Sequence, residues 1–353
     1  GLQKMNSLSH IAWRKFKKNG LGVFGLITIS IAFVISLLGY VIFPDSTPYS
    51  NQMHLELSKK APGFSTDFIL VEKEEVPTVN FFEKMIFGQD AQFDEIPISS
   101  YRVVGETLRY MPFDSSFEQE FPHNDYHISK RTYFLGTDSF GRDLLSRILC
   151  GTRVSLSVGF ISVFISLLIG ITLGAVAGYF RGKVDAAIMW LVNVVWSIPT
   201  LLMVIAISLA LGKGFWQVFV AVGLTMWVEV ARIVRGEVLS VSENEYVEAA
   251  KTLGFGHFRI HFKHILPNVI GAVIVISAAN FASAILIEAG LSFLGIGAQP
   301  PMPSWGTMIK DHYAFIVMGK SYLAVFPGLA IMLLVLSFVL LGNALRDALD
   351  VRS

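Results

Sequence analysis

Six long apolar runs decide what this chain can be. They are Gly20–Phe43, Ser155–Phe180, Ala186–Leu211, Phe215–Val234, Val269–Gly297 and Leu323–Leu345, each with the length a helix needs to cross a hydrocarbon core about 30 Å thick. Lipid offers no partners to backbone N–H and C=O groups, so such runs satisfy them internally as α-helices. The 24 residues of Gly20–Phe43 reach about 36 Å at about 1.5 Å each, enough for a tilted crossing. Composition agrees: the 353 residues are 53% hydrophobic and 16% charged, whereas a soluble domain carries roughly a quarter charged residues. The expected class is an all-α polytopic membrane protein with six spans.

The basic residues ahead of the first run give it the outline of a signal peptide. Gly20–Phe43 is too long for an h-region, however, and Phe43-Pro44-Asp45 is a poor cleavage site. A retained first span is expected. Orientation follows from Lys and Arg in short loops. Lys4, Arg14, Lys15, Lys17, Lys18, Arg181, Lys183, Arg232, Arg235, Lys251, Arg259, Lys263, Arg346 and Arg352 fall on one side, against Lys213, Lys310 and Lys320 on the other. Both termini are therefore expected in the cytoplasm.

The stretch 44–152 then lies outside, with 17 acidic and 10 basic residues. Its aromatic residues Phe81, Phe82, Phe87, Phe93, Tyr101, Tyr110 and Phe113 predict a small folded insertion over 44–134, and the strand character of Ile98–Tyr110 predicts an α+β mixture. Cys150 is the only cysteine, which excludes an intramolecular disulfide and a cysteine zinc cluster. The eight histidines show no metal-ligand spacing, and the net charge of +1 points to no nucleic acid.

Within the runs, Gly170, Gly174 and Gly178 share one helix face, open to packing inside the chain or to a seam with a partner subunit. Pro199 and Pro327 interrupt the third and sixth runs, as kinked spans allow. Glu229 and Glu288 are costly in lipid unless paired or facing a cavity. Arg232, three residues after Glu229, predicts a pair on one helix face. Glu288 has no evident local partner, so a pathway, another subunit or a proton relay stays open, while Asn280 and Ser283 add polar contacts on the same run.

Ser242–Pro267, SENEYVEAAKTLGFGHFRIHFKHILP, is the most informative segment. Ser242-x-x-Glu245 reads as a capping box, Glu243, Glu245 and Glu248 suit the first turns, and Gly254 supplies a left-handed stop. Ala249 and Ala250 leave room for another protein's surface. A basic amphipathic piece, Phe255–His264, follows, and Leu266-Pro267 leads into the fifth run. A helix lying on lipid is the other reading.

This segment resembles the EAA loop of bacterial ABC-importer permeases, with Glu248, Ala249, Ala250, Gly254, Leu266 and Pro267 in the expected places. LGTDSFGRD at Leu135–Asp143, continuing to Arg147 and Gly151–Arg153, resembles the C-type permease subunit of dipeptide and oligopeptide importers. So do EAGLSFLGIG at Glu288–Gly297 and QPPMPSWG at Gln299–Gly306. The resemblance implies a type I ABC-importer transmembrane fold in a bacterial inner membrane. It implies a coupling helix, Glu243–Gly256 with Phe255 and Gly256 at its end, seated in a cytoplasmic ATPase. The implied partners are a homologous B-type permease subunit, two ATP-binding subunits that hold ATP and Mg, and an extracytoplasmic solute-binding protein. The implied cargo is a peptide, with nickel, a metal chelate or another small solute as alternatives.

Asp138, Gly141, Arg142, Asp143, Pro301, Trp305 and Gly306 would form a gate or docking rim for the binding protein, or a plain scaffold. Asp138 is placed to cap a helix carrying Arg142 and Asp143, with Gly136 and Gly141 permitting tight turns. Pro300, Pro301 and Pro303 stiffen their loop, and Trp305 is an interfacial or packing aromatic. The long stretch after the first run exceeds what ordinary members carry.

Gly178–Val184 lacks the spacing and the Ser or Thr of a phosphate loop, so this chain is expected to bind no nucleotide or cofactor and to be no enzyme. An ion-driven transporter would need intramembrane ion ligands and inverted repeats, and a membrane-anchored receptor would not need six spans. The expected division is 1–19, a first span 20–43, the insertion 44–134, a core 135–345 with its coupling loop at 235–267, and a tail 346–353.

Overall fold

The structure, a computed structural model, describes residues 8–349 apart from 75, 106, 122–124, 213 and 244–264. Its helices are α1 (Leu8–Lys18), α2 (Gly20–Leu38), α3 (Phe81–Phe87), α4 (Leu144–Phe180), α5 (Gly182–Trp196), α6 (Thr200–Leu211), α7 (Phe215–Ser242), α8 (Leu266–Phe293), α9 (Trp305–His312) and α10 (Tyr322–Leu349). Its strands are β1 (Phe64–Glu72), β2 (Phe93–Val104), β3 (Thr107–Pro112), β4 (Gln119–Phe121) and β5 (His127–Tyr133). Two compact units emerge, one of residues 1–31, 155–299 and 331–353, the other of 32–154 and 300–330.

Among the described residues five helices are long and apolar enough to cross a membrane, and α5 with α6 makes a sixth crossing if taken together. The chain is multi-pass. The third apolar run differs from the expected Ala186–Leu211 helix: α5 and α6 meet at 88°. Pro199 offers no N–H, and a residue before proline avoids the helical region, so the ladder stops there. The 15 residues of α5 reach only about 22 Å, short of a crossing. Other ends also move. α4 starts at Leu144, eleven residues ahead of the expected Ser155, and α7 runs on past Val234 to Ser242. α8 begins at Leu266 with Pro267 in its first turn and stops at Phe293, short of Gly297. α10 continues through Pro327 as one helix.

In the helical unit, α4 lies on α7 through the glycine stripe. A Cβ on Gly170 would stand 2.5 Å from Val230 Cβ, one on Gly174 2.5 Å from the Ala231 oxygen, and one on Gly178 2.9 Å from the Arg235 oxygen. The stripe thus serves packing inside this chain. Lipid gives apolar helices no hydrophobic reason to associate, so close backbone approach and dispersion do that work. Val230, Val234 and Val238 are fully buried against it, together with Ile265, Val269 and Ile276 from the α8 side. A second cluster joins Val158 of α4, Val204 of α6, Val218, Phe219 and Val222 of α7, and Ala284 and Leu291 of α8. Phe16 of α1 is buried against Ala344 and Ala348 of α10.

The other unit contains an antiparallel sheet in the order β4-β3-β2-β1-β5. Successive strand residues face opposite ways, and β1 uses both faces. Ile69 joins Ile98, Leu108, Tyr110 and Phe121, while Phe68 joins Leu57 and Tyr133. The aromatic signal was partly misplaced. Phe81, Phe82 and Phe87 are exposed, because α3 buries none of its residues. On the Phe68 face, Glu95 accepts two hydrogen bonds from Arg131 at 2.6 Å and lies 3.1 Å from His54 Nε2. Burial pushes the Glu95 carboxyl up, but the hydrogen bonds and charges of His54 and Arg131 outweigh it and hold the pKa at about 2.

Two outcomes follow. Gly174→Leu should lower the thermal midpoint of the purified chain in nanodiscs, an overpacking cost of about 1–3 kcal/mol. Gly236→Ala, where nothing lies within 4 Å, should leave it unchanged. Because the folded pKa of Glu95 lies below its usual 4.5, its contribution is whole above that pH and lost as pH falls toward about 2. Hydrogen exchange of the β1 and β2 amides should therefore accelerate across that window, by roughly 2–3 kcal/mol of lost protection, and Glu95→Gln should remove the dependence.

Candidate functional site

The break between α5 and α6 opens a cavity of about 600 Å³ walled by four helices. Trp196 closes α5, Pro199, Thr200 and Met203 begin α6, Thr225, Met226 and Glu229 come from α7, and Ser283, Leu286 and Ile287 from α8. The wall is mostly apolar with spaced hydroxyls, and Glu229 is its one carboxylate among the described residues. Its neighbours Val228 and Val230 are buried, whereas Glu229 is exposed to the cavity.

The predicted Glu229–Arg232 pair does not form. Arg232 turns to α5, donating from Nη2 to Asn193 Oδ1 at 2.8 Å and stacking 3.6 Å from the Trp196 ring centroid. An indole ring face and an amide in the neighbouring helix offer the guanidinium more contact than a carboxylate one turn away. Glu288 also differs from expectation. It is buried, away from the cavity wall, and accepts a 2.6 Å hydrogen bond from Ser292, one turn on. Ser292 stands four residues on, the spacing at which side chains on one helix face meet. Asn280 is buried with its Nδ2 unpartnered among the described residues, while Ser283 lines the cavity.

Toward the coupling segment, residues 235–242 remain part of α7 rather than loop. Arg235 grips Asp185 of α5 with bonds of 2.5 and 2.6 Å, a cross-helix pair that spacing alone does not reveal. Ser242 is the last residue of α7 and is buried, and the helix its capping box would begin lies outside the described residues. Glu243 caps the end of α7 and makes an exposed 3.3 Å pair with Arg181. Glu245, Glu248, Ala249, Ala250, Gly254, Phe255 and Gly256 lie outside the described residues. Leu266 and Pro267 open α8.

The motif residues before α4 form a tight knot in the second unit. Asp138 caps no helix; it closes a turn, accepting from the Phe140 and Arg142 amides at 2.8 and 3.0 Å and from Arg142 Nε at 2.6 Å. The cap of α4 is Asp143, which accepts from the Ser146 amide at 2.9 Å. Burial pushes the Asp143 carboxyl up, opposed by the Ser146 bonds. Gly141 has φ +71°, and a Cβ there would collide with the His54 oxygen at 1.7 Å. Arg147 donates to the Pro301 oxygen at 3.0 Å, and buried Trp305 donates to the Ile148 oxygen at 2.9 Å. Trp305 is thus a packing aromatic, with Gly306 buried behind it.

No group of three or more His, Cys, Asp or Glu side chains is placed to hold a metal among the described residues.

Residues 170–353 match the family described as binding-protein-dependent transport system inner membrane component. Residues 7–62 match the N-terminal TM domain of oligopeptide transport permease C. The dipeptide transport system permease protein DppC of Bacillus subtilis is 34% identical over 349 residues, 98% of this chain and 87% of its own. The glutathione transport system permease protein GsiD of Pectobacterium atrosepticum is 42% identical over 241 residues, 68% of this chain and 79% of its own. The oligopeptide transport system permease protein OppC of Haemophilus influenzae is 42% identical over 218 residues, 62% and 70%. The Bacillus match covers 98% of this chain and so takes in residues 44–134. Among solved structures, the inward-facing MetNI methionine ABC transporter is similar, at 18% identity, 59% of this chain, 98% of that chain and a TM-score of 0.49.

Arg232→Ala should lower thermal stability by about 1–2 kcal/mol through the lost Trp196 and Asn193 contacts. Glu229→Gln should leave the midpoint unchanged, and a melting series on both variants checks the contrast.

Proposed function

The chain belongs to the binding-protein-dependent transport system inner membrane component family, and on that premise we propose that it forms half of a translocation pathway for di- or oligopeptides. It is a permease and not itself an enzyme. The observation that carries the cargo is the likeness to a dipeptide permease over 98% of the chain. A nickel or metal-chelate importer, or an ion-driven transporter, has no comparable support.

In this reading both termini are cytoplasmic, the insertion is extracytoplasmic, and six spans cross the bacterial inner membrane. A B-type homologue supplies the facing half of the pathway, a solute-binding protein delivers the peptide, and two ATP-binding subunits carry ATP and Mg. Glu243, Glu245, Glu248, Ala249, Ala250, Gly254, Phe255 and Gly256 are the ATPase-docking residues, with Leu266 and Pro267 joining them to α8. Asp138, Gly141, Arg142, Asp143, Pro301, Trp305 and Gly306 brace the extracytoplasmic rim.

The lever follows from connectivity. Segment 244–264 joins the end of α7 to the start of α8, and both helices wall the cavity. Glu229 lies fourteen residues before Glu243, about 21 Å along a helix. A push on the segment therefore reaches the Glu229 and Ser283 walls through two stiff rods. An exposed carboxylate is tolerated at this depth when it faces water rather than lipid, which supports Glu229 as a pathway residue.

In proteoliposomes with the complete importer, Ala249→Glu should reduce peptide uptake by about tenfold or more while ATP hydrolysis persists, a coupling loss of about 1.4 kcal/mol or more. Undiminished uptake by that variant would count against the docking role of the segment.

A further inference from the structure

The insertion carries a short helix, α3, whose Phe81, Phe82, Ile86 and Phe87 side chains stand exposed among the described residues. Phe81, Phe82, Ile86 and Phe87 are 57%, 69%, 49% and 68% exposed. Four large apolar side chains on seven residues make an odd water-facing surface, since soluble surfaces scatter such residues singly. The position of the helix explains it.

Asn80 caps α3 by accepting from the Glu83 amide at 2.8 Å, and Gly88 ends it at φ +85°. Its last carbonyls are then pinned to the end of the first span. Arg153 donates from Nη1 to the Ile86 oxygen at 2.9 Å, from Nη2 to the Met85 oxygen at 3.1 Å, and from Nε to the Ser36 oxygen of α2 at 2.9 Å. Gly39 lets the Met85 oxygen approach so closely that a Cβ would stand 2.6 Å away. Beyond α3, the Gln89 amide donates to the Ser46 oxygen at 2.9 Å. The apolar stretch of the first span ends at Val41, and Pro44 and Asp45 follow. α3 is therefore fastened between Ser36 and Ser46, where this chain itself changes from lipid-compatible to polar.

Helices that lie in the plane of a membrane interface set Phe and Leu side chains on their apolar face into the boundary between headgroups and acyl chains. We propose that α3 is a lipid-seated foot of the insertion, with Phe81, Phe82 and Phe87 placed in the headgroup layer of the bilayer. The ligand is the phospholipid surface. The foot fixes the height of the insertion and supplements the turn that ends the first span.

The test uses the full chain in phospholipid nanodiscs, with a nitroxide on a cysteine introduced by Phe82→Cys or Phe87→Cys. The native Cys150 is buried. Ile31→Cys, on an exposed face of α2, gives a lipid reference, and Asp114→Cys, in a charged turn, gives a water reference. The labels on α3 should collide with dissolved oxygen nearly as often as at Ile31, and with a water-soluble nickel chelate several-fold less often than at Asp114. Collision with the nickel chelate as free as at Asp114 would overturn the proposal. So would protection from both reagents, which means protein cover, or protection gained only when solute-binding protein is added, which would make α3 a protein-docking surface.

Discussion

The bundle depends on how closely two backbones approach. α4 and α7 touch through Gly170, Gly174 and Gly178, where a methyl group at any of the three would meet atoms less than 3 Å away. That closeness brings Val230, Val234 and Val238 into full burial and sets where the rest of α7 must lie. With α7 placed, Arg232 meets Trp196 and Arg235 meets Asp185, which fixes α5. The helix can then turn sharply at Pro199, and the hollow beside Glu229 results. The polar groups are arranged around an apolar contact, as expected where lipid leaves dispersion as the main attraction between helices.

What the residues disclosed on their own follows physical range. The apolar runs were legible because each crossing helix must be apolar over its own length. Its extra turns were not. Leu144–Val154 carries Arg147 and Arg153, which break the apolar run, yet those turns are held by Tyr49, Pro301 and Ser36 carbonyls and by Trp305, all distant in sequence. Arg232 failed for the same reason, since its partners stand on another helix. Ile98–Tyr110 showed its strand character locally and falls on β2 and β3, but β1 and β5 are defined by pairing with each other and were invisible. The aromatic residues of α3 predict a folded insertion yet stand exposed, because sequence records that a ring is apolar and not which medium receives it.

Carboxylates within the fold are handled in two ways. In the inserted sheet, Glu95 is surrounded by donors, and Arg131 itself lies over the Phe68 ring, so the charge is kept in a closed site. In the bundle, Glu229 keeps no such company and instead opens onto the hollow. The first arrangement favours a rigid fold. The second leaves a carboxylate facing a cavity, at the cost of needing water beside it.

Arg153 holds one further meaning. Its guanidinium ties Ser36, before the insertion, to the first turns of α4, after it, and so shuts the neck through which the inserted chain leaves and returns. Once a neck is shut, the entropy of the loop beyond grows only as the logarithm of its length, about 0.6 kcal/mol per doubling. The bundle is thus nearly indifferent to how much polypeptide hangs from that point, and elaboration there can proceed without renegotiating a single span.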